Sequence, residues 1–311
     1  MAGIGFNTQG IRIFAPAKLN LMLEILGKRA DGYHDLESLM ISLELSDMIE
    51  VYPVENGETT ICCRFPDHNE VNHSLRGVLE SEQNLMFKAA KKLNEFASVN
   101  KAARIILHKR IPSAAGLGGG SSDAAATLLA LNQLWGLNLG KTELQKLGAE
   151  LGSDIPYFLA DSAWAICRGR GEIIEEIRSR GNLPVVVVKP NSGLSTPAVY
   201  RAAKIPEVKQ IASELVQALQ TGNISKWGKV VYNVLDEPGR QLNNELVKLR
   251  DILDLESGVV AQMTGSGSAC FVLCSHYIQA SQLAQKLKGL GYEQTWATRT
   301  RSSILTCERI T

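Results

Sequence analysis

One segment limits the fold of this chain more than any other. Pro112-Ser113-Ala114-Ala115-Gly116-Leu117-Gly118-Gly119-Gly120-Ser121-Ser122-Asp123 joins an apolar run at Ala103–His108 to an Ala-rich run, Ser121–Trp135, whose apolar residues recur at helical spacing. Glycines let backbone amides turn toward an anion without side-chain obstruction, and the first turn of the following helix adds unpaired N–H groups and the positive end of its dipole. Ser121 and Ser122 can cap that helix or bond phosphate oxygens. The segment reads as a phosphate cradle between a strand and a helix, with a tight turn that binds nothing as the alternative.

Two commoner nucleotide signatures do not fit. Gly136-Leu137-Asn138-Leu139-Gly140-Lys141-Thr142 has only three residues between its glycines where a P-loop has four, and a helix precedes it rather than a strand. It reads as a helix-to-helix loop. Gly116-Leu117-Gly118 fails as a dinucleotide fingerprint because no acidic residue ends a second strand about twenty positions on.

Three further positions bear on chemistry. The cluster Met263-Thr264-Gly265-Ser266-Gly267-Ser268-Ala269 precedes a predicted strand, and its small residues suit a turn or a close approach to another backbone. Lys18 stands among apolar residues in a strand-like segment, where an ammonium needs an anionic partner, a phosphate or a carboxylate. Asp154, in Leu151-Gly152-Ser153-Asp154-Ile155-Pro156, is the carboxylate that pairs with it on chemical grounds, although its place before a proline also suits a helix cap. A lysine, an aspartate and a phosphate loop are the set that phosphoryl transfer to an alcohol requires.

Composition narrows the partners. The 311 residues, 45% hydrophobic and 21% charged, suffice for two domains and a substantial core. Thirty-three Lys and Arg against 32 Asp and Glu leave a net charge of +1, so overall charge would hold neither nucleic acid nor an anionic membrane. The six cysteines, Cys62, Cys63, Cys167, Cys270, Cys274 and Cys307, show no metal-type spacing and read as reduced, small apolar residues. Asp67, His68, Glu70 and His73 lack the spacing of a metal site and read as part of a solvated insertion, so no protein ligand set for a metal is expected. No apolar run approaches the ~18 residues of a bilayer span, and the N-terminal residues lack signal- or transit-peptide character. A cytoplasmic location follows, or the plastid stroma if a transit peptide has been removed.

Strands are predicted at Ile11–Phe14 and Leu19–Ile25 with Ala15-Pro16-Ala17-Lys18 between them, and at Asp47–Tyr52, Thr60–Arg64 and Ala103–His108. Helices are predicted at Asn84–Ala97, Ser121–Trp135 and Lys141–Leu151. The continuous β-branched run inside Leu183–Lys189 suits a central strand and follows a turn at Ser179-Arg180-Gly181-Asn182, which places a domain boundary nearby. Beyond it come helices at Thr196–Ala203, Val208–Gln220, from Ile224 and at Ile278–Leu290, with strands at Cys270–Cys274 and Thr295–Arg299. Both halves read as α+β.

Taken together, Pro16-Ala17-Lys18-Leu19-Asn20-Leu21, the Pro112–Ser122 loop and Thr264-Gly265-Ser266-Gly267 resemble, in order and spacing, the three motifs of the galactokinase, homoserine kinase, mevalonate kinase and phosphomevalonate kinase (GHMP) superfamily. Arg29-Ala30-Asp31-Gly32-Tyr33-His34 and Gly152-Ser153-Asp154-Ile155-Pro156 look like the branch whose substrate carries a cytidine diphosphate moiety. The resemblance implies a two-domain α+β fold. Residues 1–178 would form an N-terminal, two-layer βαβ ATP-binding domain with a left-handed crossover, and 179–311 a ferredoxin-like α/β domain completing the substrate cleft. It implies transfer of the γ-phosphoryl of ATP, with Mg2+, to the tertiary 2-hydroxyl of a methylated polyol on the non-mevalonate route to isoprenoid precursors. Carried over by position, Asp154 is the base and Lys18 its electrostatic partner. Asn20, Tyr33, His34, Thr196 and Tyr200 contact the substrate. Asn84, Lys109, Pro112, Ala114, Ala115, Gly116, Leu117, Gly118, Gly119, Gly120, Ser121 and Ser122 contact the nucleotide. A monomer or weak homodimer is expected. The competing expectations are a homoserine- or mevalonate-type kinase and a silent nucleotide-dependent regulator on the same fold.

Overall fold

A computed structural model describes residues 9–65, 79–178, 181–220, 227–228, 230–256 and 258–310. The acid- and His-bearing part of the predicted insertion, Ser179 and Arg180 of the predicted turn, and the start of the helix predicted from Ile224 lie outside the described residues.

The larger sheet is built on two long antiparallel strands, β1 (Gly10–Lys28) and β2 (His34–Val54). β1 absorbs both N-terminal predicted strands and the Ala15–Lys18 segment between them. Pro16 is tolerated because of where it falls. On the side of β1 away from β2, β12 (Thr306–Ile310) pairs only with Gly10–Phe14, and the short β8 (Tyr232–Asn233) only with Met22 and Leu23. Between Phe14 and Met22 that edge has, among the described residues, no ladder for a missing N–H to break, and the β1–β2 register shifts between Pro16 and Lys18. The same open edge is where the functional loops arrive.

β3 (Thr60–Arg64), α1 (Leu85–Ala97) and β4 (Ala102–His108) follow, with β3 and β4 parallel across the helix, so this part is a βαβ unit. The sheet order is β12-β1-β2-β4-β3, and β5 (Trp164–Gly169) and β6 (Ile173–Glu176) extend it from β2. Packed on it are α2 (Gly119–Leu134), α3 (Lys141–Leu151) and the short α4 (Ile155–Phe158). Gly136 to Gly140 is the loop between α2 and α3, with Gly136 at φ +66°.

The second sheet holds β7 (Pro184–Val188), β9 (Val260–Met263), β10 (Cys270–Leu273) and β11 (Thr295–Arg299) in the order β11-β7-β10-β9, all antiparallel. Helices α5 (Thr196–Ala202), α6 (Ala212–Gln220), α7 (Asp236–Leu242) and α8 (Asn244–Asp254) separate β7 from β9, and α9 (Tyr277–Gly289) separates β10 from β11. This βαββαβ succession is the ferredoxin-like pattern. The valine run explains how the halves join. Val185 and Val187 belong to the core of the first half, whereas Val186 and Val188 pack with Val272, Leu249 and Leu287 in a second core. A strand buried on both faces needs apolar residues at every position. The two sheets fall on either side of residue 178 except that β8 and β12 return to the first. α6 starts at Ala212 rather than Val208 because Gln210 and Ala212 donate their N–H groups to Glu24 and Glu37.

Candidate active site

Both glycine segments dock on the open edge of β1. Lys18 N–H donates to the Leu117 carbonyl at 2.9 Å, and Asn20 N–H donates to Thr264 Oγ1 at 3.0 Å. The two loops also meet each other, Ala269 N–H donating to the Ala115 carbonyl at 3.2 Å. A Cβ on Gly116 would stand 2.1 Å from the Thr264 carbonyl oxygen, and the residue's φ is +74°, so only glycine fits. Gly118, at φ +69°, is the residue before α2, and a Cβ there would lie 2.9 Å from Lys18 Cγ. Contact with neighbouring backbone at Gly116 and with side chains at Gly118, as much as access for a ligand, accounts for these glycines.

The result is a cleft of about 800 Å3 lined by residues of both glycine loops, by Lys18 and Asn20, and by Asp154 from the far side of α3. Lys18 and Asn20, two apart on a strand, point to the same face. Lys18 Nζ donates to Asn20 Oδ1 at 2.5 Å and stands 3.7 Å from Asp154 Oδ2. The lysine side chain is 5% exposed and the aspartate 29%, a cation set in the wall beside a carboxylate open to the cleft. Asp154 precedes α4 but makes no side-chain capping bond, so its carboxylate is not consumed by the helix. At the other end of the cleft, His34 and Tyr200 stack with ring centroids 5.4 Å apart and planes at 26°. Tyr33 is 54% exposed there, and Thr196 Oγ1 lies 2.7 Å from Ser266 Oγ.

Family models for the GHMP kinase N-terminal and C-terminal domains match residues 84–162 and 215–293. The 4-diphosphocytidyl-2-C-methyl-D-erythritol kinase of Bacillus cereus (strain B4264) is 37% identical over 286 residues, which cover 92% of this chain and 95% of that protein. A crystal structure of 4-(cytidine 5'-diphospho)-2C-methyl-D-erythritol kinase superposes with a TM-score of 0.74 at 34% identity, covering 94% of this chain and all of that one. The chain belongs to the 4-diphosphocytidyl-2-C-methyl-D-erythritol kinase family. Mevalonate kinase of L. major in complex with R-mevalonate shares the fold, with a TM-score of 0.71 at 16% identity over 93% of this chain and 95% of that one.

Within this family member, the structure gathers Lys18, Asn20, Tyr33, His34, Asp154, Thr196 and Tyr200 with Ala114, Gly116 and Gly118 around one cleft. Other residues singled out for the nucleotide do not line that cleft. Lys109 is buried beneath the loop, its ammonium 2.5 Å from Asp47 Oδ2 and 2.8 Å from Asp123 Oδ2, and a Cβ on Gly119 would come within 3.1 Å of it. Burial alone would lower the affinity of that amine for its proton, but Asp123 and Asp47 outweigh this and raise its pKa above the ordinary lysine value. Burial also pushes the Asp123 carboxyl up to about 8, against the pull of Lys109. Asn84 caps α1, its Oδ1 accepting from Met86 N–H at 2.9 Å while its amide donates to the Leu79 carbonyl at 2.6 Å. Ser122 is fully buried in the first turn of α2, with no hydrogen-bond partner for its hydroxyl among the described residues. Pro112, Ala115 and Leu117 complete the loop, and Gly119, the exposed Gly120 and Ser121 open α2.

Three residues at the site carry no mark in their local sequence strong enough to single them out. Ser38 and Asn233 are buried polar residues in strands, and the partners that make them matter are remote in the chain. Arg170 places its guanidinium 5.1 Å from the Tyr33 ring centroid, and the flanking Gly169 and Gly171, at φ +70° and +122°, are the signal that could have found it.

Proposed function

We propose that this protein transfers the γ-phosphoryl group of ATP to the 2-hydroxyl of 4-diphosphocytidyl-2-C-methyl-D-erythritol, a step toward isoprenoid precursors. The observation that carries the reading is the Lys18–Asp154 pair, 3.7 Å apart in a cleft floored by the glycine loop and ended by the His34–Tyr200 stack. A crowded tertiary alcohol is a poor nucleophile, so placement and proton acceptance matter more than usual. Asp154 takes the proton of that hydroxyl as its oxygen bonds the γ-phosphorus and the bond to ADP breaks. Lys18 offsets the charge that develops on the transferring group. The backbone of the Gly116–Ser122 loop and the first turn of α2 receive the phosphates. Tyr33 and Tyr200 offer faces for the flat cytosine, and His34 offers a ring nitrogen for its edge.

Among the described residues no three His, Cys, Asp or Glu side chains converge to hold a metal. One carboxylate sharing Mg2+ with substrate phosphates is the common arrangement, and the uncapped, partly open Asp154 would fit it. Such an ion, when bound, would supply charge neutralisation at the β- and γ-phosphates.

The test is turnover with MgATP and 4-diphosphocytidyl-2-C-methyl-D-erythritol beside mevalonate and homoserine. Phosphorylation of the first alone is expected. Comparable rates on mevalonate or homoserine would overturn the substrate assignment, and no turnover of any would favour a nucleotide-dependent regulator.

A further inference from the structure

Behind the Lys18–Asp154 pair runs a chain of buried hydrogen bonds whose direction is set at one end. Ser38, 1% exposed on β2, donates its hydroxyl proton to the Met22 carbonyl at 2.6 Å. A carbonyl can only accept, and a serine has one proton to give. Toward any further partner, Ser38 Oγ must therefore accept. That partner is the Asn20 amide, Nδ2 donating at 2.8 Å. With its NH2 group so committed, Asn20 turns its carbonyl oxygen the other way, where it accepts from Lys18 Nζ at 2.5 Å. Lys18 in turn faces Asp154. Thr264 reinforces the same sense, accepting from Asn20 N–H at 3.0 Å and directing its own hydroxyl at Asn20 Oδ1 at 3.4 Å. Reversal of the Asn20 amide would bring its NH2 donors against an ammonium that is 5% exposed and has little solvent to turn to.

We infer that Ser38 is a positioning residue for phosphoryl transfer: by fixing the orientation of the Asn20 amide, it holds the Lys18 ammonium in place beside Asp154. Ser38 borders the cleft, but at 1% exposure it offers almost no surface to nucleotide or acceptor. It acts through Asn20, and its effect on catalysis vanishes when Asn20 cannot transmit it. The inference rests on the proposed kinase activity for its kinetic consequence, while the orientation of the amide is observable without any substrate.

Two measurements test it. In steady-state kinetics, Ser38→Ala should lower kcat at least about tenfold, the scale of a misplaced catalytic group, with KM for ATP and for the cytidine substrate within about twofold. Ser38→Thr, which keeps the hydroxyl, should restore most of kcat. In an Asn20→Ala background, Ser38→Ala should cost nothing further, whereas a serine that merely stabilises the fold would lower the rate equally in both backgrounds. In the ligand-free protein, the side-chain amide protons of Asn20 should be slow to exchange with solvent by NMR, and fast in Ser38→Ala with backbone resonances elsewhere unmoved. An unchanged kcat, equal losses in the two backgrounds or an unaltered Asn20 amide would each overturn the inference. If wild type fails to turn over the cytidine substrate, the functional reading fails and the NMR experiment alone decides the role of Ser38.

Discussion

Two lysine–aspartate clusters flank the same glycine loop, and they are built for opposite purposes. On the cleft side, Lys18 and Asp154 stand 3.7 Å apart, beyond direct hydrogen-bond reach, with the carboxylate partly open. Behind the loop, Lys109 is 2.5 Å from Asp47 and 2.8 Å from Asp123, and all three are buried. Asp47 also accepts from the N–H groups of Arg110 and Ile111, so it pins the strand-to-loop corner. The same residue types thus serve as a structural rivet where Asp47 has its oxygens bonded by the ammonium and two backbone N–H groups, and, in the proposed reaction, as a reactive pair where the carboxylate is left open.

The sharpest way to break this contrast is to remove one aspartate from each cluster. Asp154→Ala should lower kcat by about 10²- to 10⁴-fold, the range for a lost general base, with Tm close to wild type. Asp47→Ala should do the reverse first: it takes one of two carboxylates from a buried ammonium and strands two backbone N–H groups, at a cost of about 3–5 kcal/mol in unfolding free energy, read as a lower denaturant midpoint. A wild-type-like midpoint in Asp47→Ala, or a wild-type rate in Asp154→Ala, would collapse the distinction.

The loop between the clusters comes next. Gly116→Ala puts a methyl group 2.1 Å from the Thr264 carbonyl at a φ of +74°. The two loops must separate, and a loss of about 1–3 kcal/mol from backbone strain is expected together with weakened ATP binding, measurable by calorimetry. Unchanged affinity would show that contact between the loops is not what shapes the cradle.

The smallest effect concerns pH. Burial raises the Asp123 carboxyl above its ordinary value, against the pull of Lys109, so just above the ordinary carboxylate range the native state keeps a proton that the unfolded chain has released. Stability should therefore fall as pH rises above the ordinary carboxylate range, because the native state binds more protons there. Asp123→Asn should flatten that slope in a series of thermal melts. An equally steep slope in the variant would assign the pH dependence elsewhere.

Much of the site can be read from local pattern. Gly116 and Gly118 advertise positive φ, Lys18 and Asn20 advertise a shared strand face, and Val185–Val188 advertises a strand covered on both sides. Asn84 and Lys109 show where such reading stops. Each sits where the family motif places a nucleotide contact, yet in the ligand-free fold Asn84 caps α1, and Lys109 is held between two carboxylates. A helix cap and a ligand contact ask for the same kind of side chain, and only the surroundings say which one is made. β8 and β12 are invisible for a related reason: each is short, and its pairing with β1 comes from the far end of the chain.

The sequence by itself determined the reagents: a glycine-rich loop ahead of a helix, a lysine on a strand and an aspartate before a proline, because backbone permissiveness and charge are properties of residues in local order. The tertiary structure decided which of them act. It left the edge of β1 open between Phe14 and Met22, and there two loops distant in the chain meet beside Lys18. It also filled the bonds of one aspartate and spared those of another. Burial and the satisfaction of polar groups are set by neighbours far away in the chain, and no local pattern carries that information.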